Sequence, residues 1–315
     1  MKRKAVIISI LGKYLTNKEK KLISVERPWG IILFKRNIFS FKQTKRLIKS
    51  IKKASNNKNF PVLIDEEGGA VTRLSKIINN NIYSQKYFGD LFANNKKISI
   101  SVYKKYIFSV CIILKDLGIN INTVPVLDIL KKKTHKIIGN RSYSKTIGVI
   151  KELGLVCVNS YKKNRIGTVI KHIPGHGCAS SDSHLVLPVV NDSYKKLSKA
   201  DFLCFSKIDS HFAMTAHILY KKLDPINVAT QSKKIIMKII RKKIGFKGIL
   251  ISDDISMKAL KDDIISNARK SLEAGCNLVL YCSGKHRDSL KLLKEMPFID
   301  SFTKKKTSEF YKFLS

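Results

Sequence analysis

The sequence predicts an α/β protein built as a single-domain (β/α)8 barrel of the TIM type. Two observations predict it: short, nearly uninterrupted apolar runs alternate with longer amphipathic stretches along the whole chain, and eight such runs occur in 315 residues. Apolar strands separated by helices form parallel sheets covered on both faces. A doubly wound open sheet shows the same alternation and is the structural alternative. No Gly-x-Gly-x-x-Gly motif follows the first run, which argues against the dinucleotide-binding form of that sheet.

The predicted strands are apolar segments of five to eight residues bounded by turn and helix signals. They occupy residues 5–11, 30–34, 61–65, 121–128, 168–172, 212–217, 248–253 and 277–282. Nothing in the composition divides the chain, so residues 1–315 are expected to form one domain.

Helix boundaries are marked by capping residues. Thr16 and Ser40 are each followed three residues later by Glu or Gln, the spacing of a capping box. Apolar stripes at helical spacing stop at Gly118, Gly245 and Gly275, and a predicted strand begins within a few residues of each. These glycines suit the left-handed position that ends a helix.

Composition excludes several classes of protein. Hydrophobic residues make up 44% of the chain, enough for a large core, yet no run approaches the ~20 apolar residues of a membrane-spanning helix. The balance of 61 Lys and Arg against 23 Asp and Glu gives a net charge of +38, which attracts polyanions. Because these basic residues are spread over the whole length, without a compact basic arm or aromatic RNA-binding motif, we expect no specific nucleic-acid partner.

The cysteines and the N-terminus point to the cytoplasm. The six cysteines lie far apart and form no Cys-x-x-Cys pair, so neither a disulfide framework nor a zinc site is expected. Residues 1–12 have a basic start and a short apolar run but no small-residue cleavage site. We therefore expect a buried first strand in a cytoplasmic protein.

Polar side chains gather where the predicted strands end. In a parallel barrel these ends share one face, where active sites are built. A single polar residue at a strand end commonly caps a helix, whereas a group of them on one rim indicates a site. The group comprises Asp65, Glu66, Asp128, Lys171, His172, His217, Asp253 and Asp254.

Five ordered motifs at these ends carry a family resemblance. They are IDEEGGAVTRL (64–74), IIGNRSYS (137–144), KHIPGHG with DSH (171–177 and 182–184), MTAHI (214–218) and ISDDISM (251–257). The chain resembles glycoside hydrolase family 3, specifically its β-N-acetylglucosaminidases of peptidoglycan recycling, from about residue 15 to 284. The resemblance implies a (β/α)8 barrel.

The resemblance also implies roles for individual residues. Asp253 matches the nucleophile that forms a covalent glycosyl-enzyme, which gives retention of configuration. Asp254 is expected to cap the helix that follows. His184 matches the acid/base, with Asp182 orienting and charging its imidazole. Residues 175–184 are expected to form a mobile catalytic loop that closes over the substrate.

Further matches concern the residues that hold the sugar. Charge-assisted hydrogen bonds from such residues fix a ring for attack. His217 and Asp128 are expected to support the site from behind. The residues that resemble the family's substrate-binding groups are Asp65, Arg73, Arg141, Lys171 and His172.

Four positions depart from the family's usual pattern. Glu66 stands where Gln is common, Ala70 where Arg is common, and Asn140 and Cys178 where Asp is common. These changes bear on specificity and loop closure more than on the reaction class, and Cys178 is expected to be a packing residue rather than a nucleophile.

These observations predict a monomeric retaining exo-β-N-acetylglucosaminidase that removes terminal GlcNAc from anhydro-muropeptides. No cofactor or metal is expected, because the displacement needs neither. A glycoside phosphorylase of the same family is the first alternative, since a histidine acid/base repels phosphate less than a glutamate. A non-catalytic barrel that binds nucleic acid or another anionic surface is the second.

Overall fold

The computed structural model describes residues 2–131, 138–178 and 186–315. In chain order, the strands of this part are β1 (Lys4–Ser9), β2 (Pro28–Leu33), β3 (Val62–Ile64), β4 (Ile121–Asn122), β5 (Gly167–Ile173), β6 (Val189–Val190), β7 (Phe212–Thr215), β8 (Leu219–Tyr220), β9 (Ile249–Asp254) and β10 (Leu278–Tyr281). Eight of them pair in parallel and close a barrel in the order β1, β2, β3, β4, β5, β7, β9, β10. The remaining two, β6 and β8, form a separate two-stranded sheet.

The helices surround this barrel. They are α1 (Asn17–Glu26), α2 (Phe41–Ala54), α3 (Gln85–Asn94), α4 (Lys96–Leu117), α5 (Ile147–Lys163), α6 (Tyr194–Ser198), α7 (Asp201–Phe205), α8 (Ile264–Ala274), α9 (His286–Glu295) and α10 (Ser301–Leu314). The segment Ile235–Ile244 is π-helical, and Lys35–Asn37, Gly139–Arg141 and Ala229–Gln231 are 3-10 turns. In the described ranges, none of these helices is long and apolar enough to cross a membrane.

The barrel predicted from the sequence is confirmed, because each of the eight predicted segments overlaps one barrel strand. The open-sheet alternative is wrong. The fourth strand is shorter than predicted, ending at Asn122 rather than residue 128. Pro125 has no amide proton to donate to a ladder; beyond it, the backbone returns to β5 through Leu127, whose N–H donates to the Lys171 carbonyl. The two-residue strands β6 and β8 were not predicted.

Helix ends follow the predicted signals closely. The Thr16 hydroxyl accepts the Glu19 amide while the Glu19 carboxylate accepts the Thr16 amide, which completes a capping box. Ser40 accepts the Gln43 amide, but the Gln43 side chain accepts the Phe39 amide instead of that of Ser40, so only half of that box forms. The three helix-ending glycines have φ angles of 89°, 80° and 116°, as left-handed C-terminal residues: Gly118, Gly245 and Gly275.

An apolar plug fills the barrel and closes its lower end, where the strands begin. Trp29 and Phe212 lie inside, with ring centroids 5.5 Å apart. Helix α10 covers the opening: Phe310 packs on Phe212 at 5.0 Å, and Thr307 accepts a hydrogen bond of 2.9 Å from the Trp29 indole. With this end sealed by apolar contacts, the opposite end, where the strands finish, is the one that holds polar groups.

Candidate active site

A cavity of about 400 Å³ opens at the end of the barrel where the strands finish. It lies above the apolar plug and is bordered by loops that follow several different strands. Six of the predicted site residues line it together: Asp65, Arg73, Arg141, Lys171, His172 and Asp253. The other two, Asp182 and His184, lie outside the described residues, as does most of the predicted mobile loop.

The two neighbouring aspartates at the end of β9 both line the cavity but have different hydrogen-bond partners. The Asp253 carboxylate accepts the Asp254 amide at 2.8 Å and borders the cavity. The Asp254 carboxylate accepts both the amide and the hydroxyl of Ser256 and the amide of Cys282. Burial raises the pKa of Asp254 above its ordinary value. Asp254 therefore anchors the turn that begins at Ser256. The prediction that Asp254 caps the following helix is wrong, because α8 begins later in the chain and is capped by Asp263.

A buried cluster of charges forms the wall opposite this strand end. The Glu67 carboxylate accepts two hydrogen bonds from the Arg141 guanidinium, at 2.8 and 2.9 Å, and lies 2.6 Å from the Lys171 ammonium. The side chains of Glu67 and Lys171 are only 1% and 3% exposed. Lys171 also contacts the Asp65 carboxylate at 3.2 Å, and Arg73 contacts the same carboxylate at 3.2 Å. The cluster thus has three cations and two anions in contact.

Both carboxylates of the cluster are held in the charged form. Burial by itself raises the pKa of Glu67, but the charges of Arg141 and Lys171 outweigh it and lower that pKa to about 2. Burial also raises the pKa of Asp65, but the charges of Lys171 and Arg73 and a hydrogen bond from the Thr123 hydroxyl outweigh it. The pKa of Asp65 therefore lies below its ordinary value. At neutral pH Asp65 is therefore a carboxylate that borders the cavity and can accept hydrogen bonds from hydroxyl groups.

The lowered pKa of Glu67 predicts that the protein loses stability in acid. Because the folded-state pKa of Glu67 lies below its ordinary value of 4.5, its contribution to the free energy of unfolding is complete above pH 4.5 and is lost as the pH falls toward 2. The expected loss is roughly 3 kcal/mol. Urea unfolding of the wild type and of Glu67→Gln at pH 7, 4 and 2.5 measures it: the two curves are expected to converge at low pH. Parallel pH profiles would contradict the expectation.

Asp128 organises the residues at the end of β5. It is fully buried, and its carboxylate lies 2.7 Å from Nδ1 of His172 and accepts the backbone amides of His172 and His176. This contact fixes the ring of His172, whose Nε2 is left for the cavity that it lines. In His217 both ring nitrogens have partners within the protein, the Thr230 hydroxyl and the Asp254 carbonyl. Asp128 and His217 thus lie behind the residues of the cavity wall.

Glu66 holds the loop that carries Arg73. One of its oxygens accepts the Arg73 and Leu74 amides, at 2.8 and 2.9 Å. The other accepts the Thr72 hydroxyl and the Asn80 side-chain amide, at 2.8 and 3.0 Å. All four partners are donors, so a carboxylate satisfies this position better than the glutamine that is usual in the family.

Cys178 is partly buried against the hydrophobic core, and its sulfur also has polar contacts. Its sulfur is 3.0 Å from the Asp192 carboxylate and also contacts Asp201 and the Lys131 ammonium. Burial, followed by the charge of Asp201, raises the pKa of the Cys178 thiol. The thiol is therefore protonated and a poor nucleophile, in agreement with the expectation from the sequence.

The sequence analysis missed an acidic residue and a histidine of the cavity, Glu67 and His176. Glu67 was passed over as part of the DEEGG motif, although a second acidic residue after a strand end was an available signal. His176 was considered only as part of a tight Pro-Gly-His-Gly turn, yet it lines the cavity beside His172, with ring centroids 5.8 Å apart. Among the described residues, no group of three or more His, Cys, Asp or Glu side chains is arranged to hold a metal ion.

Comparisons with known proteins identify the family of this chain. Residues 6–301 match the family described as "Glycosyl hydrolase family 3 N terminal domain". The beta-hexosaminidase of Nitrosomonas eutropha is 30% identical over 283 residues, which cover 88% of this chain and 80% of that protein. The beta-hexosaminidase of Neisseria gonorrhoeae is 32% identical over 287 residues, which cover 89% and 78%.

Solved structures extend this similarity to the fold. The crystal structure of NagZ from Neisseria gonorrhoeae in complex with N-trifluoroacetyl-D-glucosamine has a TM-score of 0.87 at 28% identity, covering all of this chain and 90% of that one. A family 3 β-N-acetylglucosaminidase from Paenibacillus sp. has a TM-score of 0.84 at 26% identity, and this chain spans 60% of its length. The comparisons favour catalysis over a non-catalytic binding barrel. The chain belongs to glycosyl hydrolase family 3 and is a glycoside hydrolase.

Proposed function

We propose that this hydrolase is a retaining exo-β-N-acetylglucosaminidase that removes terminal GlcNAc from peptidoglycan fragments, the anhydro-muropeptides. One observation carries the proposal: the Asp253 carboxylate shares a closed-ended cavity with the charged cluster of Asp65, Glu67, Arg141 and Lys171. A nucleophile thereby lies next to groups that bind hydroxyls. The names of the relatives, beta-hexosaminidase and NagZ, support the choice of an N-acetylated sugar.

Asp253 is the proposed nucleophile. Its carboxylate attacks the anomeric carbon, the bond to the aglycone oxygen breaks, and a glycosyl ester of Asp253 forms with inversion. Attack of water on the same carbon releases the sugar with a second inversion, so the configuration is retained. The backbone amide of Asp254, which donates to Asp253, stabilises the charged carboxylate before attack and after release.

His184 and Asp182 are the proposed acid/base pair. A protonated imidazole gives its proton to the departing aglycone oxygen, and the neutral imidazole then takes a proton from the incoming water. Asp182 keeps the imidazole oriented and favours its charged form. Their place in the chain supports the assignment, because His176, eight residues before His184, borders the cavity.

The remaining groups of the cavity hold the terminal sugar. Asp65 accepts hydrogen bonds from hydroxyls on the side of the ring away from the bond that breaks, while Arg73, Arg141, Lys171 and His172 donate to the same hydroxyls. Their mutual salt bridges fix the side chains before the substrate arrives, so little order is lost on binding. The name beta-hexosaminidase of the curated relatives supports removal of a terminal sugar, which is exo cleavage.

The proposal also covers the domain organisation, the oligomeric state and the cellular location of the protein. We propose a single domain over residues 1–315, a monomer and a cytoplasmic location. Light scattering of the purified protein at several concentrations tests the monomer: a mass near 35.7 kDa is expected, and twice that mass would contradict it.

Product analysis tests the activity. Purified protein is given a 4-nitrophenyl β-N-acetylglucosaminide and an anhydro-muropeptide, with and without inorganic phosphate. Release of free GlcNAc, with its β configuration seen first by NMR, is expected in both buffers. GlcNAc 1-phosphate in the phosphate buffer would replace the hydrolase by a phosphorylase, and an absence of turnover with either substrate would overturn the activity.

Removal of the acid/base has an effect that depends on the leaving group. We expect His184→Ala to lower kcat/KM for the muropeptide by about 10²–10⁴-fold, because its poor leaving group needs a proton. An aryl glycoside with an acidic phenol leaving group is expected to lose far less, and added azide is expected to yield the β-glycosyl azide. Equal losses with both leaving groups would contradict the role, while His211→Ala, at the opposite end of the barrel, is the matched control.

A further inference from the structure

Thr123 is a buried residue next to the cavity to which the proposed mechanism gives no role. It follows the last residue of β4, and its backbone amide donates to the Ile64 carbonyl at 2.9 Å. This contact brings it beside Asp65, the residue after β3. Thr123 is fully buried. A substrate therefore does not touch it, and any effect of Thr123 on the reaction passes through its neighbours.

The side chain of Thr123 faces the interior of the barrel. Successive residues of an extended segment point to opposite sides. Asn122 faces helix α5, where its side-chain amide donates to the Tyr161 hydroxyl at 2.9 Å. Thr123 faces the other way, and its hydroxyl meets the Lys171 ammonium at 2.9 Å and the Asp65 carboxylate. The hydroxyl thus lies between a cation and an anion of the charged cluster.

The chemistry of these two neighbours fixes the direction of both hydrogen bonds. An ammonium group can only donate, so the Thr123 oxygen accepts from Lys171. A charged carboxylate can only accept, so the single Thr123 proton goes to Oδ1 of Asp65. Asp65 is in this charged form at neutral pH, because its pKa lies below its ordinary value. The Thr123 hydroxyl therefore has one arrangement here, and in it Oδ1 of Asp65 is held.

This hydrogen bond orients the Asp65 carboxylate. Oδ1 is turned toward two buried groups, the Thr123 hydroxyl and the Lys171 ammonium. Oδ2 contacts Arg73, whose side chain is 27% exposed. Asp65 itself borders the cavity, and its side chain is 14% exposed. With Oδ1 held on the buried side, Oδ2 is left on the side of the cavity, where a hydroxyl of a bound sugar can donate to it.

The barrel places Asp65 opposite the proposed nucleophile. In the closed order of eight strands, β3 and β9 are four strands apart, so their ends face each other across the cavity. In a pyranose ring, C4 lies opposite the anomeric carbon, C1. A sugar whose C1 meets Asp253 therefore presents its C4 hydroxyl to Asp65.

We infer that Thr123 is a positioning residue for substrate binding, whose hydroxyl orients the Asp65 carboxylate toward the C4 hydroxyl of the terminal sugar. The inference rests on the proposed function. C4 takes no part in the bond changes at C1, so this contact is equally strong in the bound substrate and in the transition state. Loss of such a contact raises KM and leaves kcat nearly unchanged.

Thr123→Val tests the inference, because valine has nearly the same shape and no hydroxyl. With a 4-nitrophenyl β-N-acetylglucosaminide, it is expected to raise KM roughly tenfold and to change kcat by less than about threefold. Thr123→Ser keeps the hydroxyl and is expected to stay within about threefold of the wild type. A calorimetric titration gives a second measurement, since the Kd of GlcNAc is expected to rise by the same factor as KM.

A substrate without the C4 hydroxyl separates positioning from a general structural effect. The 4-deoxy analogue of the same glycoside has nothing to donate to Asp65. The wild type and Thr123→Val are therefore expected to have the same KM for it, within about threefold. A substitution that only disturbed the fold would raise KM for both glycosides.

A matched control comes from a second buried threonine. Thr168 lies near the start of β5, and its hydroxyl contacts that of Ser210 at 2.9 Å. Thr168→Val is expected to leave KM and kcat unchanged for both glycosides. Thermal unfolding of every variant checks that it is folded, and Thr123→Ala gives the same comparison if Thr123→Val does not fold.

Each contrary result has its own meaning. An unchanged KM in Thr123→Val, or an equal rise of KM with the 4-deoxy glycoside, would overturn the inference. A Thr123→Ser protein as impaired as Thr123→Val would overturn it as well, because the hydroxyl would then not be the group that acts. A wild-type protein without activity on the N-acetylglucosaminide would instead overturn the proposed function. The titration with GlcNAc does not need turnover, which makes the two failures distinguishable.

Discussion

Asp253→Asn is expected to lower kcat/KM for an aryl β-N-acetylglucosaminide by about 10⁴-fold or more, because the amide cannot attack the anomeric carbon and no ester forms. The substitution changes the volume of the side chain very little, so the fold and the affinity for GlcNAc should persist. Initial rates and a binding titration with GlcNAc separate the two effects. A mechanism-based fluorosugar should add one glycosyl mass to the peptide that contains Asp253 in the wild type and none in the variant.

The neighbouring residue is the natural control, because the motif contains two aspartates. Asp254→Asn is expected to retain most of the activity and to lower the melting temperature, since the Asp254 carboxylate holds the turn through Ser256 and Cys282. If Asp254→Asn lost more activity than Asp253→Asn, or if the glycosyl mass appeared on Asp254, the assignment of the nucleophile would be wrong.

Glu67→Gln is expected to have the largest effect on stability. The Glu67 side chain is 1% exposed and contacts both Arg141 and Lys171, so its neutralisation removes a buried negative charge from beside both cations. Removing one partner of a buried ion pair costs about 3–5 kcal/mol in the free energy of unfolding. Urea unfolding at pH 7 measures this cost. The activity is expected to fall as well, because Arg141 and Lys171 lose the contact that positions them in the cavity.

An exposed ion pair provides the comparison for this prediction. Glu295 contacts Arg269 on the surface, where their side chains are 45% and 55% exposed. Solvent screens such a pair, so Glu295→Gln is expected to change the free energy of unfolding by less than about 1 kcal/mol. Equal effects of the two substitutions would show that burial does not strengthen the Glu67 contacts.

Much of the fold was predictable because its signals are local. A short apolar run indicates a barrel strand. A glycine after an amphipathic stretch indicates a helix end, and the positive φ angles of Gly118 and Gly275 confirm this prediction. The convergence of Asp65, Lys171 and Asp253 on one cavity was predictable as well, because parallel strands place their ends on one face. Once the fold class is predicted, these three residues are expected to lie close together although they are far apart in the chain.

The parts that were missed depend on contacts between distant segments. Glu67 meets Arg141 and Lys171 across 74 and 104 positions of the chain, and no local pattern encodes that contact. His176 lies in a tight turn whose flanking glycines, Gly175 and Gly177, lie close to Asp201 and Ile129, and its ring borders the cavity. The early end of β4 likewise reflects how the segment after Pro125 meets β5.

The sequence by itself therefore determined the order of strands and helices, the face on which the site is built and the family resemblance, since periodicity, capping and motifs act over a few residues. The tertiary structure decided which charges are paired, which carboxylate of the Asp253–Asp254 pair is committed to a turn, and which imidazole is left with an unpaired nitrogen. Those properties are set by burial and by distances of about 3 Å between segments far apart in the chain, and such distances exist only once the barrel has closed.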